Sequence, residues 1–391
     1  MTDPIARPVE ELLLLIAASQ GRRSAQRPRM LALAGECDEA ELGAQLVAQR
    51  LLPLGGGRLA DAGAGALLSD GFWTRWREEV EDSRRGAIAL EALTVRVVEL
   101  MERNGVRAMP LKGPLLARSL YGDPAMRPTN DIDLLLTAED LPRAVEVAQR
   151  LGYHEPVSPQ GRLPALHRLL SHDDPWMPRL ELHWRVHWYE DRFAADLLAG
   201  ANADDQDLLR PSPAEELAML LLFFARDGFY GLRLAADVAA CFDAHADELD
   251  AGELEHVVRR YPALRPALTT AAEVAESLVG LPAGRLGLRA DAKARKHALA
   301  ARLANWTQRG VAPQAQANVR LVDWLLTPDG GQREYVRRNF LSIPGELAGG
   351  PTPRSRTLAL LMHSIRLVAR YLLALWAVRG GRQWSPIPEL Q

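Results

Sequence analysis

The chain has 391 residues, a hydrophobic content of 48% and a charged content of 25%, which are typical of a globular protein with two or three domains. Its formal net charge of −3 argues against general DNA binding, because proteins that bind nucleic acid broadly carry a basic excess. Its two distant cysteines, Cys37 and Cys241, make neither a disulfide framework nor a zinc motif, and the first residues lack a signal-peptide pattern, so the sequence predicts a cytoplasmic protein.

The first hundred residues are predicted to be mainly helical. Glu10–Ser19 and Glu39–Leu52 carry apolar residues at three-to-four spacing, and a long helix is predicted over Trp73–Arg103. The three consecutive glycines at 55–57 are predicted to form a break or loop. We therefore assign residues 1–103 to an N-terminal helical region.

Short strands and helices alternate in the next stretch of the chain. Strand Val106–Leu111 leads into a helix that starts at Pro114, since proline suits the first turn of a helix. After a loop, strand Asp131–Leu136 leads into a helix that ends near Gly152. Strand, helix, strand and helix within about 50 residues indicate a compact α/β unit.

One further strand is predicted in this unit, after a loop at 155–178 that contains several prolines. Residues 179–188, RLELHWRVHW, alternate strictly between polar and apolar side chains. The polar face carries Glu181, His183, Arg185 and His187, and the apolar face carries Leu182, Trp184, Val186 and Trp188. The pattern predicts a half-buried strand, and we assign residues 104–210 to the core of the protein.

Beyond Pro211 the chain is predicted to be helical. The predicted helices span 213–226, 232–244, 252–260, 263–279, 290–308, 314–326 and 355–379. Neither apolar run in this region is predicted to cross a membrane, since 217–225 is too short and 357–378 contains three basic side chains. The predicted fold class is therefore α+β, with a small mixed-sheet core between the N-terminal region and a C-terminal helical domain, 211–391.

Two aspartates, Asp131 and Asp133, open the second predicted strand. Residues two apart on a strand face the same side, with Cα atoms roughly 6.5–7 Å apart, so these carboxylates can share two Mg²⁺ ions about 3.5–4 Å apart. Bound metal would offset the repulsion between them. Glu181, on the polar face of the other strand, is the candidate third acid and could activate a water or an acceptor hydroxyl. We predict that Asp131, Asp133 and Glu181 are both metal ligands and catalytic residues.

Lys112, Gly113 and Arg127 are predicted to bind nucleotide phosphates. Gly113 lies at a strand-to-helix junction, where phosphate can approach the backbone N–H groups at the positive end of the helix. Lys112 is one of only three lysines in a chain that otherwise uses arginine, and with Arg127 it would supply positive charge.

Other polar groups allow further interpretations. His183 and Asp237 could support the site from behind the ligands, and Arg226 could face nucleotide or acceptor or form an ion pair at the core edge. A zinc site of Glu181, His183 and His187 is conceivable, although strand spacing separates these ligands and no cysteine assists. The arginines at 333, 337, 338, 354 and 356 could attract a phosphorylated or RNA acceptor, or form a solvated surface.

Several motifs together resemble the uncharacterised nucleotidyltransferase family of the DNA polymerase beta superfamily, over about residues 80–240. They are Leu111-Lys112-Gly113, Leu120-Tyr121-Gly122-Asp123, Arg127, Asp131-Ile132-Asp133-Leu134-Leu135, Leu151-Gly152-Tyr153 and Glu181-Leu182-His183-Trp184. Two details differ from the superfamily pattern: Lys-Gly-Pro stands where many members have Gly-Ser or Gly-Gly, and the third acid is glutamate.

The resemblance implies a bacterial enzyme that uses Mg²⁺ to transfer a nucleoside monophosphate from a nucleoside triphosphate to an acceptor hydroxyl. The acceptor stays open between a small molecule, a peptide and an RNA. An alternative is a non-catalytic protein that binds nucleotide or a partner and has kept the fold without turnover. A toxin-like transferase acting on RNA is a third hypothesis, which the sequence pI near 6.3 disfavours.

Overall fold

The computed structural model describes residues 8–155, 166–190, 192–288, 300, 313–333, 335–336, 361–362, 364–365, 368–369 and 372. All but a few positions of the helices predicted at 290–308 and 355–379 lie outside the described residues. The arginines at 337, 338, 354 and 356 lie outside them as well.

Helices make up most of the described chain. Their bounds are α1 Pro8–Ala17, α2 Gln20–Ala25, α3 Arg27–Glu36, α4 Glu39–Ala48, α5 Leu52–Ala62, α6 Asp70–Arg103, α7 Gly113–Tyr121, α8 Leu141–Arg150, α9 Phe193–Gly200, α10 Pro213–Arg226, α11 Leu232–Ala244, α12 Ala251–Arg260, α13 Arg265–Val279 and α14 Pro313–Leu325. Local sequence explains several starts; at α10, for example, Ser212 and Glu215 form a reciprocal capping box. None of the helices in the described part of the chain is long and apolar enough to cross a lipid bilayer.

The three glycines at 55–57 lie inside α5, so the predicted break at this position was wrong. A Cβ atom at Gly55 would come within 2.6 Å of Leu46, and one at Gly56 within 2.2 Å of the Trp76 ring. Glycine costs about 1 kcal/mol in a helix relative to alanine, but here it lets α4 and α6 pack directly against the backbone of α5. Tertiary packing therefore outweighs the local preference for a loop.

Within the described residues, seven short strands form two sheets. Their bounds are β1 Met109–Pro110, β2 Asp131–Leu135, β3 Tyr153–His154, β4 His167–His172, β5 Arg179–His183, β6 Asn202–Ala203 and β7 Leu209–Arg210. The five-stranded sheet has the order β1-β2-β5-β4-β3; β2 and β5 are parallel and the other neighbours are antiparallel. β6 and β7 form a separate antiparallel pair. The predicted α+β class with a small mixed sheet is confirmed.

Two details of the central strands differ from the sequence predictions. Strand β4 lies within the predicted loop 155–178, where it pairs antiparallel with β5 and places His167 opposite His183. Strand β5 ends at His183 rather than Trp188, since the backbone N–H groups of the next two residues both donate to the Leu166 carbonyl. The polar face predicted for this strand is therefore reduced to Glu181 and His183.

The sheet has one apolar face and one face with charged residues. Its apolar face packs on α6 and α8 through a cluster that includes Ile132, Leu134, Leu180 and Leu182. The other face carries Asp133 and Glu181 and lies under α10, whose Phe223 contacts Lys112 and His183. The charged residues are thus enclosed between the sheet and the C-terminal helices.

A second core joins the N-terminal helices to α10, α11 and α13. Backbone hydrogen bonds also link the two ends of this core, since the Ser19 N–H donates to the Val279 carbonyl at 2.8 Å. The division at residues 103 and 210 stays a prediction, and the helical regions on either side of the sheet share apolar packing.

Candidate active site

The parallel pairing of β2 with β5 brings three carboxylates to one face of the sheet. Asp133 is the register partner of Glu181, and Asp131 is the partner of Arg179. Neighbouring strands are about 4.8 Å apart, and residues i and i+2 project to the same face. The structure therefore places Asp131, Asp133 and Glu181 together, although they are far apart in sequence.

A single histidine nitrogen lies between two of these carboxylates. The fully buried His183 places Nε2 2.9 Å from Asp133 Oδ1 and 3.2 Å from Glu181 Oε2. The two oxygens contact the same atom and can be no further apart than the sum of these distances. The two carboxylates therefore converge on His183.

Lys112 contacts the same carboxylate from the other side. Its Nζ lies 3.2 Å from Asp133 Oδ1 and 4.5 Å from the centroid of the Phe223 ring. Burial raises the pKa of Asp133, but the charge of Lys112 and the hydrogen bond from His183 outweigh this effect and hold the pKa well below its usual range. Asp133 is therefore ionised at neutral pH.

Glu181 is also held in its charged form. Burial raises the pKa of Glu181, but its hydrogen bond with His183 and the electrostatic effects of His167 and His183 together outweigh burial, and the pKa lies below its ordinary value. Two ionised carboxylates thus face each other across the parallel strands. Such a pair is favourable for binding a cation.

Gly113 begins α7 directly after Lys112. Its φ of +79° lies in the left-handed region that favours glycine, and a Cβ atom added here would meet nothing within 4 Å. The first backbone N–H groups of a helix lack partners within the helix. The start of α7 therefore faces open space next to Lys112.

Arg127 is turned into the protein. The Arg127 side chain is 2% exposed, and its Nε donates to Asp237 Oδ2 at 2.8 Å. Asp237 is fully buried on α11, and its other oxygen accepts a hydrogen bond from the Tyr121 hydroxyl at 2.9 Å. Arg127 and Asp237 thus tie the loop before β2 to α11, and the phosphate contact of Arg127 stays a prediction.

Asp131 is half-buried at the end of the same loop, where its Oδ1 accepts a hydrogen bond from the Thr129 hydroxyl at 2.7 Å. Arg233 on α11 donates to the Pro128 carbonyl at 3.0 Å, in the electrostatic range of Asp131. Burial, together with the charge of Arg127, lowers the pKa of Arg233 to about 10. No sequence pattern indicated a role for Arg233, because it is the packing of α11 that brings this side chain near Asp131.

His167 is a second residue near the site that the sequence analysis missed. Its Nε2 lies 3.7 Å from Glu181 Oε2, and its ring centroid lies 4.6 Å from that of His183. Burial and the neighbouring His183 lower the pKa of His167 to about 4. The segment HRLLSH has neither alternation nor β-branched residues, so pairing with β5, rather than propensity, makes it a strand.

Arg226 at the end of α10 adds another cation beside the site. Its guanidinium carbon lies 4.6 Å from the centroid of the Phe223 ring, the same ring that Lys112 contacts. Its Nε donates to Asp227 at 3.1 Å, whereas its buried Nη1 has no hydrogen-bond partner among the described residues. One aromatic ring therefore holds two positively charged side chains near Asp133.

His187 does not join this cluster. Strand β5 ends before it, and its ring packs against Tyr189 at a centroid distance of 5.7 Å. The described residues with ligand atoms close enough to share an ion are His167, Glu181 and His183, whose atoms all lie within 4.8 Å of one another.

Comparison with known proteins agrees with this geometry. A sequence model of a family described as uncharacterised nucleotidyltransferase matches residues 36–280, which is more than half of the chain. The match includes all the carboxylates, cations and histidines described above, and no curated protein matches the chain. The resemblance inferred from the motifs is confirmed, and the chain belongs to this family of uncharacterised nucleotidyltransferases.

Proposed function

We propose that the protein transfers a nucleoside monophosphate from a nucleoside triphosphate to an acceptor hydroxyl, with Mg²⁺ bound by Asp131, Asp133 and Glu181. The observation that carries the proposal is the register of β2 and β5, which pairs Asp133 with Glu181 and leaves Asp131 on the same face. Carboxylates on one face can hold a pair of metal ions, and such a pair stabilises the attacking and leaving oxygens of an in-line displacement at phosphorus.

The donor set fits a divalent ion with a preference for oxygen. Mg²⁺ binds through one or two carboxylates and takes its remaining ligands from water and substrate phosphates. The low pKa values of Asp133 and Glu181 keep both in the ligand form at neutral pH. Two Mg²⁺ ions bound here would polarise the acceptor hydroxyl and stabilise the negative charge that develops on the phosphates.

Lys112 and the start of α7 are proposed to bind the triphosphate. The N–H groups at the start of a helix attract phosphate, and the lack of a side chain at Gly113 leaves that approach open. Lys112 directly precedes Gly113, and its Nζ contacts Asp133, so it supplies positive charge between the start of α7 and the proposed metal ligands. Arg226 contacts the same Phe223 ring as Lys112, and we propose that it binds the terminal phosphates through Nη1, which has no hydrogen-bond partner among the described residues.

Glu181 is proposed to accept the proton of the acceptor hydroxyl. The acceptor oxygen then bonds to the α-phosphorus, the bond from that phosphorus to the bridging oxygen breaks, and pyrophosphate leaves. His183 contacts both carboxylates and fixes their orientation, which keeps Glu181 directed at the same point as Asp133. Arg127 and Asp237 are proposed to hold the loop that ends at Asp131.

A non-catalytic nucleotide-binding protein is the second candidate. The observation that favours it is that Lys112 and His183 both contact Asp133 Oδ1, at 3.2 Å and 2.9 Å, so this carboxylate has partners within the chain. A protein that has lost turnover could keep this carboxylate paired permanently.

The test uses full-length protein, labelled nucleoside triphosphates, Mg²⁺ and a cell extract as the source of acceptor. We expect label to appear on one class of acceptor with release of pyrophosphate, and Asp133→Asn to abolish both. Asp173→Asn, at an exposed aspartate directly after β4, is the control. Undiminished transfer by Asp133→Asn would overturn the proposal, and tight nucleotide binding without pyrophosphate release would favour the second candidate.

A further inference from the structure

Two neighbouring strands place imidazole nitrogens beside a carboxylate. His167 lies on β4, and Glu181 and His183 lie on β5; one ligand atom from each residue lies within 4.8 Å of the others. Glu181 Oε2 is 3.2 Å from His183 Nε2 and 3.7 Å from His167 Nε2. His183 Nε2 also contacts Asp133 Oδ1 at 2.9 Å.

These separations match the spacing of ligands around a tetrahedral metal ion. With metal–ligand bonds of about 2.0–2.2 Å, donor atoms of a tetrahedral site lie about 3.4 Å apart. The two distances from the Glu181 oxygen lie on either side of this value. The donors already approach the required arrangement before any ion is bound.

The type of donor distinguishes this cluster from the proposed magnesium ligands. Mg²⁺ takes oxygen ligands, whereas imidazole nitrogen is a preferred ligand of zinc and other first-row transition metals. Two histidines and a carboxylate, with a further position free, make a common ligand set for Zn²⁺. The pair of histidines therefore selects for a softer ion than the aspartates do.

The burial of the two rings supports a ligand at this position. His183 is fully buried, and both rings direct Nε2 at the same Glu181 oxygen, at 3.2 Å from His183 and 3.7 Å from His167.

We propose that His167, Glu181 and His183 bind one divalent transition-metal ion, for which Zn²⁺ is the best match. The inference does not rest on nucleotidyl transfer, because a protein without turnover would have the same ligands. It gives Glu181 a second metal ion to bind, besides the Mg²⁺ proposed for Asp131, Asp133 and Glu181. Occupation by Zn²⁺ would draw Glu181 toward the histidines.

The experiment measures binding of Zn²⁺ alone to full-length protein that has been stripped of metal with a chelator. Calorimetric titration is run with excess Mg²⁺, on the wild type, His167→Gln and the control His154→Gln. His154 is half-exposed on β3, and its Nε2 lies 3.6 Å from Asp173. Co²⁺ absorption in the visible range provides a second readout of nitrogen coordination.

We expect the wild type and His154→Gln to bind one Zn²⁺ per chain, and His167→Gln to bind at least about tenfold more weakly. No binding by the wild type, or equal binding by wild type and His167→Gln, overturns the inference. If His167→Gln does not fold, His167→Asn is titrated in its place, and His183→Gln should lose the Co²⁺ absorption. Binding of Zn²⁺ by His167→Asn equal to that of the wild type, or an unchanged Co²⁺ spectrum in His183→Gln, overturns the inference. Transfer with Mg²⁺ is scored separately, so transfer without Zn²⁺ binding overturns this inference and leaves the proposed function standing.

Discussion

Asp133 and Glu181 are register partners on parallel strands, and one nitrogen of His183 contacts the carboxylates of both. A parallel pair connects segments that are distant in sequence. The two carboxylates thus come from segments that are separated in sequence by α8, β3 and β4.

Replacing Glu181 with glutamine should lower kcat for transfer by about 10²- to 10⁴-fold, because the amide can neither accept a proton nor bind metal as strongly. Nucleotide binding should change less, since Lys112 and the start of α7 stay in place. Steady-state kinetics of pyrophosphate release checks this split between kcat and KM. Glu146→Gln, on the exposed face of α8, is the matched control, and equal kcat values for the two variants would contradict the role of Glu181.

Replacing Lys112 with methionine should weaken binding of nucleoside triphosphate roughly 10- to 100-fold, the effect of losing one charge-assisted hydrogen bond. Methionine keeps the apolar stem against the Phe223 ring while it removes the charge. Fluorescence titration with a labelled nucleotide measures the change. Arg96→Met, at an exposed position on α6, should bind like the wild type, and a similar loss in both variants would point to a general charge effect.

Removing one member of the Arg127–Asp237 pair should destabilise the fold by about 3–5 kcal/mol, since the other charge is left buried and unpaired. Urea unfolding of Arg127→Met, Asp237→Leu and the double variant tests this, and the double variant should recover part of the loss. If Arg127→Met unfolds like the wild type but binds nucleotide weakly, the phosphate role predicted from the sequence would be supported instead.

Glu190 should make stability fall as pH rises through the neutral range. Burial raises the pKa of Glu190 to about 7, although the backbone N–H groups of Val186, His187 and Ala194 donate to its carboxylate. The folded state therefore favours the protonated form, and its contribution is complete below pH 4.5 and is lost as pH rises to about 7.

The loss due to Glu190 is on the order of 3 kcal/mol, by the scale of about 1.4 kcal/mol per pKa unit. Urea unfolding of the wild type and Glu190→Gln between pH 5 and pH 8 isolates the contribution of Glu190, because other groups contribute equally to both proteins. As pH rises across this range, the unfolding free energy of the wild type should fall relative to that of Glu190→Gln. A constant difference would rule out the raised pKa.

Two adjacent glycines of α5 should respond in opposite directions to alanine. At Gly56 the added methyl would lie 2.2 Å from the Trp76 ring, and overpacking of this kind costs about 1–3 kcal/mol. At Gly57 the nearest atom is Met126 Sδ at 3.8 Å, so the gain in helix propensity should stabilise the protein by up to about 1 kcal/mol. Thermal unfolding of the two variants measures the contrast, and equal melting temperatures would falsify it.

Periodicity in the sequence was sufficient to locate the two segments that carry the carboxylates. Asp131 and Asp133 are two residues apart at the head of an apolar run, and Glu181 opens an alternating stretch, so both strands could be predicted from local pattern. Their parallel pairing depends on contacts between segments about fifty residues apart, so a local sequence pattern does not predict it.

The same distinction explains the errors. His167 was missed because its strand forms through pairing with β3 and β5, and the glycines of α5 were assigned to a loop because their helix depends on contacts from Leu46 and Trp76. The burial of Arg127 could not be foreseen either, since its partner Asp237 lies more than a hundred residues later, on α11. Residues whose role depends on a distant partner are therefore those that the sequence placed least well.

The hydrogen bond between the Ser19 N–H and the Val279 carbonyl has a consequence for synthesis of the chain. A ribosome adds about 5–20 residues per second, so α1 would wait on the order of 10 to 50 s before α13 emerges to pack against it. During that interval the apolar side of α1, which includes Leu12, Leu13 and Ile16, has none of its C-terminal partners. Chaperones that shield nascent apolar helices should therefore bind this protein near its N-terminus, and release it once α13 has been made.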